Sequence, residues 1–555
     1  MSELVTENKY LDKVLERVNE LKDMVIKDRD YYLKEVEEMG IPDLEQKGYF
    51  KKCKELAFKA NEKYVALNEL EKNTHFGRMD LTLNEDNHTE NLVMYIGEKS
   101  INKGIENLVY DWRSPVGNLY YMSNQEDYKY KDTIYNLNLK RQIDISNSKI
   151  NNIYDTFVRG RNLNVTDDFL MKVLNDKKNR NEFVDIIKTI QSNQNSIIRD
   201  ELNTNSIVQG VAGSGKTVVL LHRLSYLLYN YPEMDRNKLL FITPSTIFKS
   251  KLSNINRSLS LTTIKMITME DYYLEKINYY LPSIKINRVE KDNFKIDMLE
   301  FIYSEDYPNY LQSFIKDYTK KSDIKLIMDN IFKDLKNKFN LKNKNYIINK
   351  RTTKAFAFTI LMLYKLMNFK YYTDYLYMFI DEMQDYGYEE IRLISKMEKN
   401  AKLNLYGDVE QAILPFIKKK EINELIDFLN QLRDNVKTYF LNENYRNSKE
   451  ITNYCNKFLN VTMTPMGINS NPVSEIKVDN YIDYIKNHFD KSHVIIGNDI
   501  KDIEELCYIG YEAYTVSQAK GLEFSKVVVM ENNFNNVLKY VSYTRTLDKL
   551  FILKK

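Results

Sequence analysis

The chain is poor in the residues that usually announce a staple, a metal centre or a membrane span. Its 555 residues include three cysteines, Cys53, Cys455 and Cys507, which lie far apart. That excludes a disulfide-stapled domain and a thiolate metal site, and predicts reduced thiols in a cytoplasmic protein. The five histidines, His75, His88, His222, His488 and His493, share no ligand spacing. No Ser-His-Asp arrangement is suggested either. The nearest approach to a long apolar run, Thr359 to Ile380, is interrupted by Lys365, Lys370 and Asp374, so no membrane segment is expected. The start, Met1 to Asn8, lacks the basic residues and apolar core of a signal peptide. Net charge is nearly absent too, since 81 basic against 78 acidic side chains leave +3. Nucleic-acid contacts would therefore have to come from local patches.

What is present describes a large soluble protein. Hydrophobic residues make up 43% and charged residues 29%, and the length predicts roughly three or four domains. With only 16 glycines in the chain, the run Gly210-Val-Ala-Gly213-Ser214-Gly215-Lys216-Thr217 stands out. It fits G-x-x-x-x-G-K-[ST], between an apolar strand-like run at Ser206 and a helical one from Val218 to Tyr229. Backbone N–H groups of such a loop close around phosphate oxygens, assisted by the helix N-terminus. Lys216 is expected to reach the β- and γ-phosphates and Thr217 to hold Mg²⁺. Both ATP and Mg²⁺ are thus implied.

Upstream, residues 1–73 read as an antiparallel coiled-coil arm. Leu4, Leu11, Val18, Val25 and Tyr32 recur every seven residues. Gly40-Ile-Pro42 breaks the pattern, and Leu56, Ala60, Tyr64, Leu67 and Leu70 continue it on the return. Each helix would span roughly 50 Å at 1.5 Å per residue. Glu35, Glu37, Glu38, Asp43 and Glu45 crowd the tip, which is either a solvated loop or a probe for a metal or a basic channel. From Thr74 to about Thr156 short alternating runs predict strands, including Leu92–Gly97, Asn107–Asp111 and Leu119–Met122. Asp111 and Arg113 are expected to form a buried ion pair. Asn181 to Arg199 reads as helical, and Gln194 there offers an amide able to read adenine.

Beyond the phosphate loop, Leu239–Ser245 and Ile264–Thr268 read as buried strands, followed by a loss of α/β rhythm from 271 to 354. Between Lys316 and Lys354 twelve Lys or Arg face four Asp, with Tyr318 and Tyr346 among them. This basic helical insertion is either a solvated face or a tracker of a phosphate backbone. The core pattern resumes at Tyr377-Met-Phe-Ile-Asp381-Glu382-Met-Gln384-Asp385. A parallel strand ending there places Asp381 to hold Mg²⁺ through water and Glu382 to orient or deprotonate the attacking water. Leu403–Gln411 is a further strand ending in polar residues. Thr438 to Arg446 opens a second α/β unit, which Val494–Gly497, Tyr514–Phe524 and Lys526–Met530 continue. Arg446 and Arg545 sit among apolar neighbours and need anionic partners.

Six segments in this order, from the phosphate loop through Asp-Glu-x-Gln-Asp, Gly-Asp-x-x-Gln, Asn-Tyr-Arg and Ala-Lys-Gly-Leu-Glu-Phe to Tyr-x-x-x-Thr-Arg, resemble the UvrD/Rep motors of superfamily 1. The helical hairpin, Phe76–Asp80, Tyr95–Gly97, Asp111–Pro115 and Thr189–Gln194 resemble the HelD branch, which includes RNA polymerase recycling ATPases and DNA helicase IV-like proteins. The resemblance implies two RecA-like P-loop NTPase lobes with parallel sheets. The first would take 74–270 and 355–415 with a β-rich extension, the insertion 271–354, and the second lobe 416–555. It further implies Gln194 on adenine with Tyr445 stacked on it, Gln411 sensing the γ-phosphate, Arg446 and Arg545 as arginine fingers, and Glu523 facing the nucleotide cleft. With catalytic groups split over two lobes, hydrolysis can be coupled to lobe closure.

Some positions depart from the helicase pattern. Val218 stands where UvrD-like helicases carry an Arg, and Ser517 where they carry a His. Ala412 to Lys420 lacks their aromatic stretch for single-stranded DNA, and about seventy residues between Arg446 and Gln518 leave no room for their large accessory insertion. Met383 and Glu98 differ from the usual Ala and Arg of the HelD pattern. With the ATPase parts intact and the DNA-tracking parts eroded, the expected function is an ATP-driven remodeller of RNA polymerase. It would be a monomer reaching core polymerase through the 1–73 arm and the 271–354 insertion, with DNA or RNA as possible further contacts. The alternative is a 3′–5′ DNA helicase or translocase in repair.

Overall fold

A computed structural model describes residues 3–43, 45–85, 88–122, 127–130, 133–161, 187, 190–244, 259, 261–292, 294–341, 350–372, 375–417, 421–459 and 461–555. The chain divides into two compact units, one of 1–173 with 185–196, the other of 174–184 with 197–555. Residues 181–186, 188 and 189 of the helix expected over 181–199 lie outside the described residues, as do Lys342, Lys344, Tyr346 and Lys418 to Lys420; within the rest, Ser192–Ile198 is helical. No helix among the described residues is long and apolar enough to cross a membrane.

In the first unit, helices Glu3–Met39 and Lys47–Lys72 run antiparallel, as the Lys22–Glu71 and Glu35–Tyr49 pairings require. They share their unit with a seven-stranded, mainly antiparallel sheet of the described residues between Gly77 and Val158. The sequence attached this sheet to the first nucleotide lobe; it forms a unit with the arm instead. The reason lies in the heptad stripe. Val14 and Val18 pack on Ile101, Leu108 and Val109, and Leu11 on Tyr95, Ile143 and Ile145. A stripe read as a two-helix seam therefore docks its first half onto the sheet, and no residue of this helix beyond Val25 is fully buried. Glu7, wholly buried, anchors that docking. It accepts from Arg78 Nη1 at 2.8 Å, Arg141 Nη1 at 2.9 Å and the Tyr95 hydroxyl at 3.0 Å. Asp80 and Asp155 bind the other edges of the two guanidinium groups.

Two local outcomes differ from one another. Arg113 forms the expected buried pair, with Nη2 2.6 Å from Asp111 Oδ2. The run Leu119–Met122, read as a strand from its tyrosines, lies instead in and just after the helix Pro115–Tyr121. Ser114 caps that helix by accepting from the Gly117 N–H, and Pro115 opens it. Capping chemistry overrides β-propensity here.

The second unit contains two large parallel sheets among its described residues, the RecA-like arrangement. The first has six strands in the order 265–268, 239–243, 377–380, 402–407, 205–210 and 436–441. The second orders 474–477, 546–554, 524–531, 494–497 and 513–515. Strand Val436–Leu441 corrects the boundary drawn at 416, because it pairs with Asn205–Gly210 along the edge of the first sheet. The chain crosses to the second sheet only after it. The insertion is largely helical but also contains a parallel ribbon of Ile286–Glu290 with Lys350–Thr353. It shares one hydrophobic core with the first sheet, through Tyr272, Ile277, Met298, Ile327 and the wholly apolar face of helix Lys354–Leu366.

Candidate nucleotide site

Three neighbouring strands of the first sheet bring the motifs together. Asn205–Gly210, Lys402–Gly407 and Tyr377–Ile380 lie side by side and run parallel. Their C-terminal ends therefore present the phosphate loop, Asp408 to Gln411, and Asp381 with Glu382 along one edge, where open α/β sheets bind ligands. Gly213 and Gly215 hold φ angles of +73° and +80°, a left-handed region that side chains disfavour. Gly215 thereby starts helix Lys216–Asn230, whose first N–H groups have no helical acceptor. Ser214 donates its backbone N–H to the Val211 carbonyl within the loop.

Lys216 Nζ donates to the carbonyls of Gly210 at 2.8 Å and Val211 at 3.0 Å. Burial lowers its pKa, Arg446 adds to that, and Asp408, Glu382 and Asp381 oppose it. Thr217 Oγ1 lies 2.7 Å from Asp381 Oδ2. A hydroxyl beside a carboxylate is a pair of hard oxygens, so these residues fit Mg²⁺, which binds through few protein ligands and shares substrate phosphates. Glu382 holds φ +54°, an uncommon conformation for a residue with a side chain. Its Oε2 accepts from Gln384 Nε2 at 2.5 Å and lies 3.9 Å from Lys520 Nζ. Burial and the neighbouring Glu382 push the Asp381 carboxyl up. At Glu382, burial is outweighed by Lys520 and Lys216, and the carboxyl is pulled down. The two adjacent acids are thus separated, with Glu382 the one held ionised.

The second sheet delivers cations to the same edge. Asn444 Oδ1 accepts the backbone N–H groups of Arg446 and Asn447, each at 3.0 Å. Asn447 Nδ2 reaches the Thr544 and Thr546 carbonyls at 3.0 and 2.5 Å. That amide ties the loop carrying Arg446 to the turn carrying Arg545. The Arg446 loop abuts the phosphate loop directly. Tyr445, half-buried, donates its N–H to the Gly213 carbonyl at 3.1 Å, and a Cβ on Gly213 would lie 2.7 Å from Arg446 Cβ. Arg446 Nη2 binds Glu523 Oε1 at 2.8 Å. Arg545, 3% exposed, donates to the Val541 carbonyl, Thr544 Oγ1 and Gln411 Oε1. Lys520 Nζ crosses to Asp385 Oδ1 at 2.6 Å.

The structure therefore assembles Gly210, Gly213, Ser214, Gly215, Lys216, Thr217, Asp381, Glu382, Gln411, Tyr445, Arg446, Glu523 and Arg545 around one edge. Gln194 belongs to the other unit, where its Oε1 accepts the Gln191 N–H at 3.2 Å; its adenine role rests on the sequence argument. Sequence reasoning gave no role to Lys520, Asp408, Gln384, Asn447 or Tyr540. All five lie in or beside the quoted motifs, so the signal was adjacency, but their partners are far away in the chain.

A glycine-rich loop, a hydroxyl–carboxylate pair and converging cations define a P-loop nucleotide site on RecA-like sheets. Residues 4–168 match the family model of the N-terminal domain of DNA helicase IV HelD, and residues 194–416 match an AAA domain model. Together the two models and the relatives that follow support a HelD-like branch of the superfamily 1 helicases. ATP-dependent DNA helicase PcrA from two strains of Staphylococcus epidermidis is 25% identical over 321 residues. That stretch covers 51% of this chain and 42% of the relative, so less than half of PcrA is represented. A solved structure of the PRRSV helicase aligns over 63% of this chain and 52% of its own, at 11% identity and a TM-score of 0.30. The fold assignment rests on strand order, not on that alignment.

Proposed function

We propose that this chain is an ATP-hydrolysing motor that binds RNA polymerase and remodels or recycles its complexes, releasing nucleic acid or itself on turnover. The hydrolytic half rests on one observation: Lys520, Arg446 and Arg545 of the second lobe reach Glu382, the phosphate loop at Gly213 and Gln411 of the first. Charge developing on a transferred phosphoryl group needs fixed cations, and an arginine finger contributes about 10³–10⁵ in rate. In this reading Glu382 positions or deprotonates the attacking water, Gln411 senses the γ-phosphate, and Thr217 with Asp381 holds Mg²⁺. The metal, when bound, neutralises charge on the phosphate oxygens. Because the cations come from a separate sheet, turnover requires the two lobes to be together.

Glu382→Gln keeps the shape of the side chain and removes its base. It is expected to bind ATP normally and to lose turnover by about 10²–10⁴, measured as phosphate release beside fluorescent-nucleotide binding. Unchanged release would refute the assignment. The polymerase half is supported by the HelD-type N-terminal unit and its long exposed arm. Its test must spare the docked base of the arm, since Leu11, Val14 and Val18 complete the sheet's core. Replacing only residues 30–63 by a short turn should abolish retention on core polymerase, and undiminished retention counts against the arm as the contact. A second reading is a 3′–5′ DNA helicase or translocase, of which the DNA-helicase part is favoured by the PcrA relatives. Robust unwinding of a 3′-tailed duplex would put it first.

A further inference from the structure

Helix Asn536–Tyr543 carries a second functional group besides leading to Arg545. The Tyr540 hydroxyl is buried between the two lobes. It accepts the backbone N–H of Ala212, inside the phosphate loop, at 2.7 Å and donates to Asp408 Oδ2 at 2.8 Å. The same Oδ2 accepts from Gln411 Nε2 at 2.9 Å, while Asp408 Oδ1 takes Gln209 Nε2 at 2.9 Å. Gln411 Oε1 then accepts from Arg545 Nη2 at 3.3 Å. These bonds form a chain that starts at a phosphate-loop amide, runs through phenol, carboxylate and carboxamide, and ends at a guanidinium five residues beyond the phenol. Three of its links cross between lobes, two at Tyr540 and one at Arg545; the others are internal to the first. Burial, with the Asp408 charge, keeps the phenol pKa well above its ordinary value, so the hydroxyl remains a donor.

Gln209 and the Glu410 N–H hold Oδ1 of this carboxylate, and at Oδ2 the phenol is a second donor beside Gln411. That in turn fixes which way the Gln411 amide points, and so where Arg545 is met. The ring packs with Ile451 and Val541 of its own lobe and with Val211 of the phosphate loop, so the second lobe holds the ring while the bonds of its hydroxyl to the first lobe exist only when the lobes are together. We propose that Tyr540 is a positioning residue for hydrolysis: its hydroxyl sets the Asp408–Gln411 pair in register with the phosphate loop only when the lobes are closed. This deepens the reading of the cleft as an ATPase site and rests on it.

Tyr540→Phe keeps the ring and deletes the bond. Steady-state hydrolysis and fluorescent-nucleotide binding are measured for the intact chain, for Tyr540→Phe, for Gln411→Ala and for the double variant. The expected result is a fall in kcat of about tenfold for Tyr540→Phe, with KM and nucleotide affinity changed less than about twofold. Adding it to Gln411→Ala should cost little more, because both act through the same pair. Full kcat in Tyr540→Phe overturns the proposal. So does a loss that multiplies with that of Gln411→Ala, or one accompanied by an equal loss of nucleotide binding, which would mean a damaged phosphate loop. If the intact chain binds nucleotide and never hydrolyses it, the ATPase reading fails first, and that outcome is separate from a normal parent with a normal variant.

Discussion

Arg141 and Arg545 are equally hidden, each 3% exposed, yet their surroundings are opposite. Arg141 is gripped by three carboxylates, Glu3, Glu7 and Asp155. Burial pulls its pKa down, but Asp155 and Glu7 outweigh that and hold it above the usual value. Arg545 contacts a carbonyl, a hydroxyl and an amide, all neutral. Burial, with the charge of Arg446, lowers its pKa to about 10 despite Glu523 and Glu382. Lys216 is lowered in the same way. A buried cation surrounded by carboxylates is finished structure; one surrounded by neutral groups and other cations is compensated only when an anion arrives. The contrast is the one expected of a cleft that takes an anionic ligand.

The largest effect expected from this contrast is at Arg545. Arg545→Met removes the charge and keeps much of the volume, and ATP turnover should fall by about 10³ or more. Thermal stability should hold or rise, because an uncompensated buried charge is gone. Phosphate release and a melting curve on the same preparation test both halves. A variant that melts well below the parent would show that Arg545 is a structural residue like Arg141, and the contrast would fail.

The mirror substitution, Arg141→Met, should do the reverse. It removes one of the two guanidinium groups that hold the wholly buried Glu7 and leaves Asp155 without its partner, and breaking a buried pair costs up to about 3–5 kcal/mol. Trp112, the only tryptophan, is buried in the same unit, so its fluorescence reports unfolding of that unit alone. The denaturant midpoint read by Trp112 should drop sharply while nucleotide affinity is retained. An unmoved midpoint would mean that the Glu7 cluster adds nothing to docking of the arm base.

Much of the nucleotide edge was legible because its residues are fixed by local spacing. Gly210 to Thr217 declares itself within eight residues, and Asp381-Glu382 follows directly on its strand. What was not legible depends on pairings across the chain. Lys520 sits in a quoted motif, but its partner Asp385 is 135 residues away. Strand Val436–Leu441 has the same local character whichever sheet it joins, and only its pairing with Asn205–Gly210 decides. The arm shows a third limit. A seven-residue repeat states that Leu11 and Val18 are covered but not by what, and here the sheet covers them.

The smallest effect expected concerns pH, and it sharpens the comparison because it lies within the finished unit. His75 is fully buried; its Nδ1 is 2.9 Å from Thr74 Oγ1 and its ring is edge-on to Tyr10 and Tyr95. Burial lowers its pKa from about 6.5 to about 3. No carboxylate of the Glu7 cluster is hydrogen-bonded to it among the described residues. A depressed folded-state pKa means that between pH 3 and 6.5 the unfolded chain binds the proton and the folded chain does not. The associated stability is present above pH 6.5 and lost as pH falls through that window. At pH 5 the loss should be about 2 kcal/mol, from one and a half pH units at 1.36 kcal/mol each. His75→Phe removes this term while keeping an aromatic ring of similar size. With Trp112 as the reporter, the parent should lose about 2 kcal/mol more than the variant between pH 7.5 and pH 5. Equal losses would mean that His75 takes up its proton without unfolding the unit, and that the carboxylates nearby reach it after all.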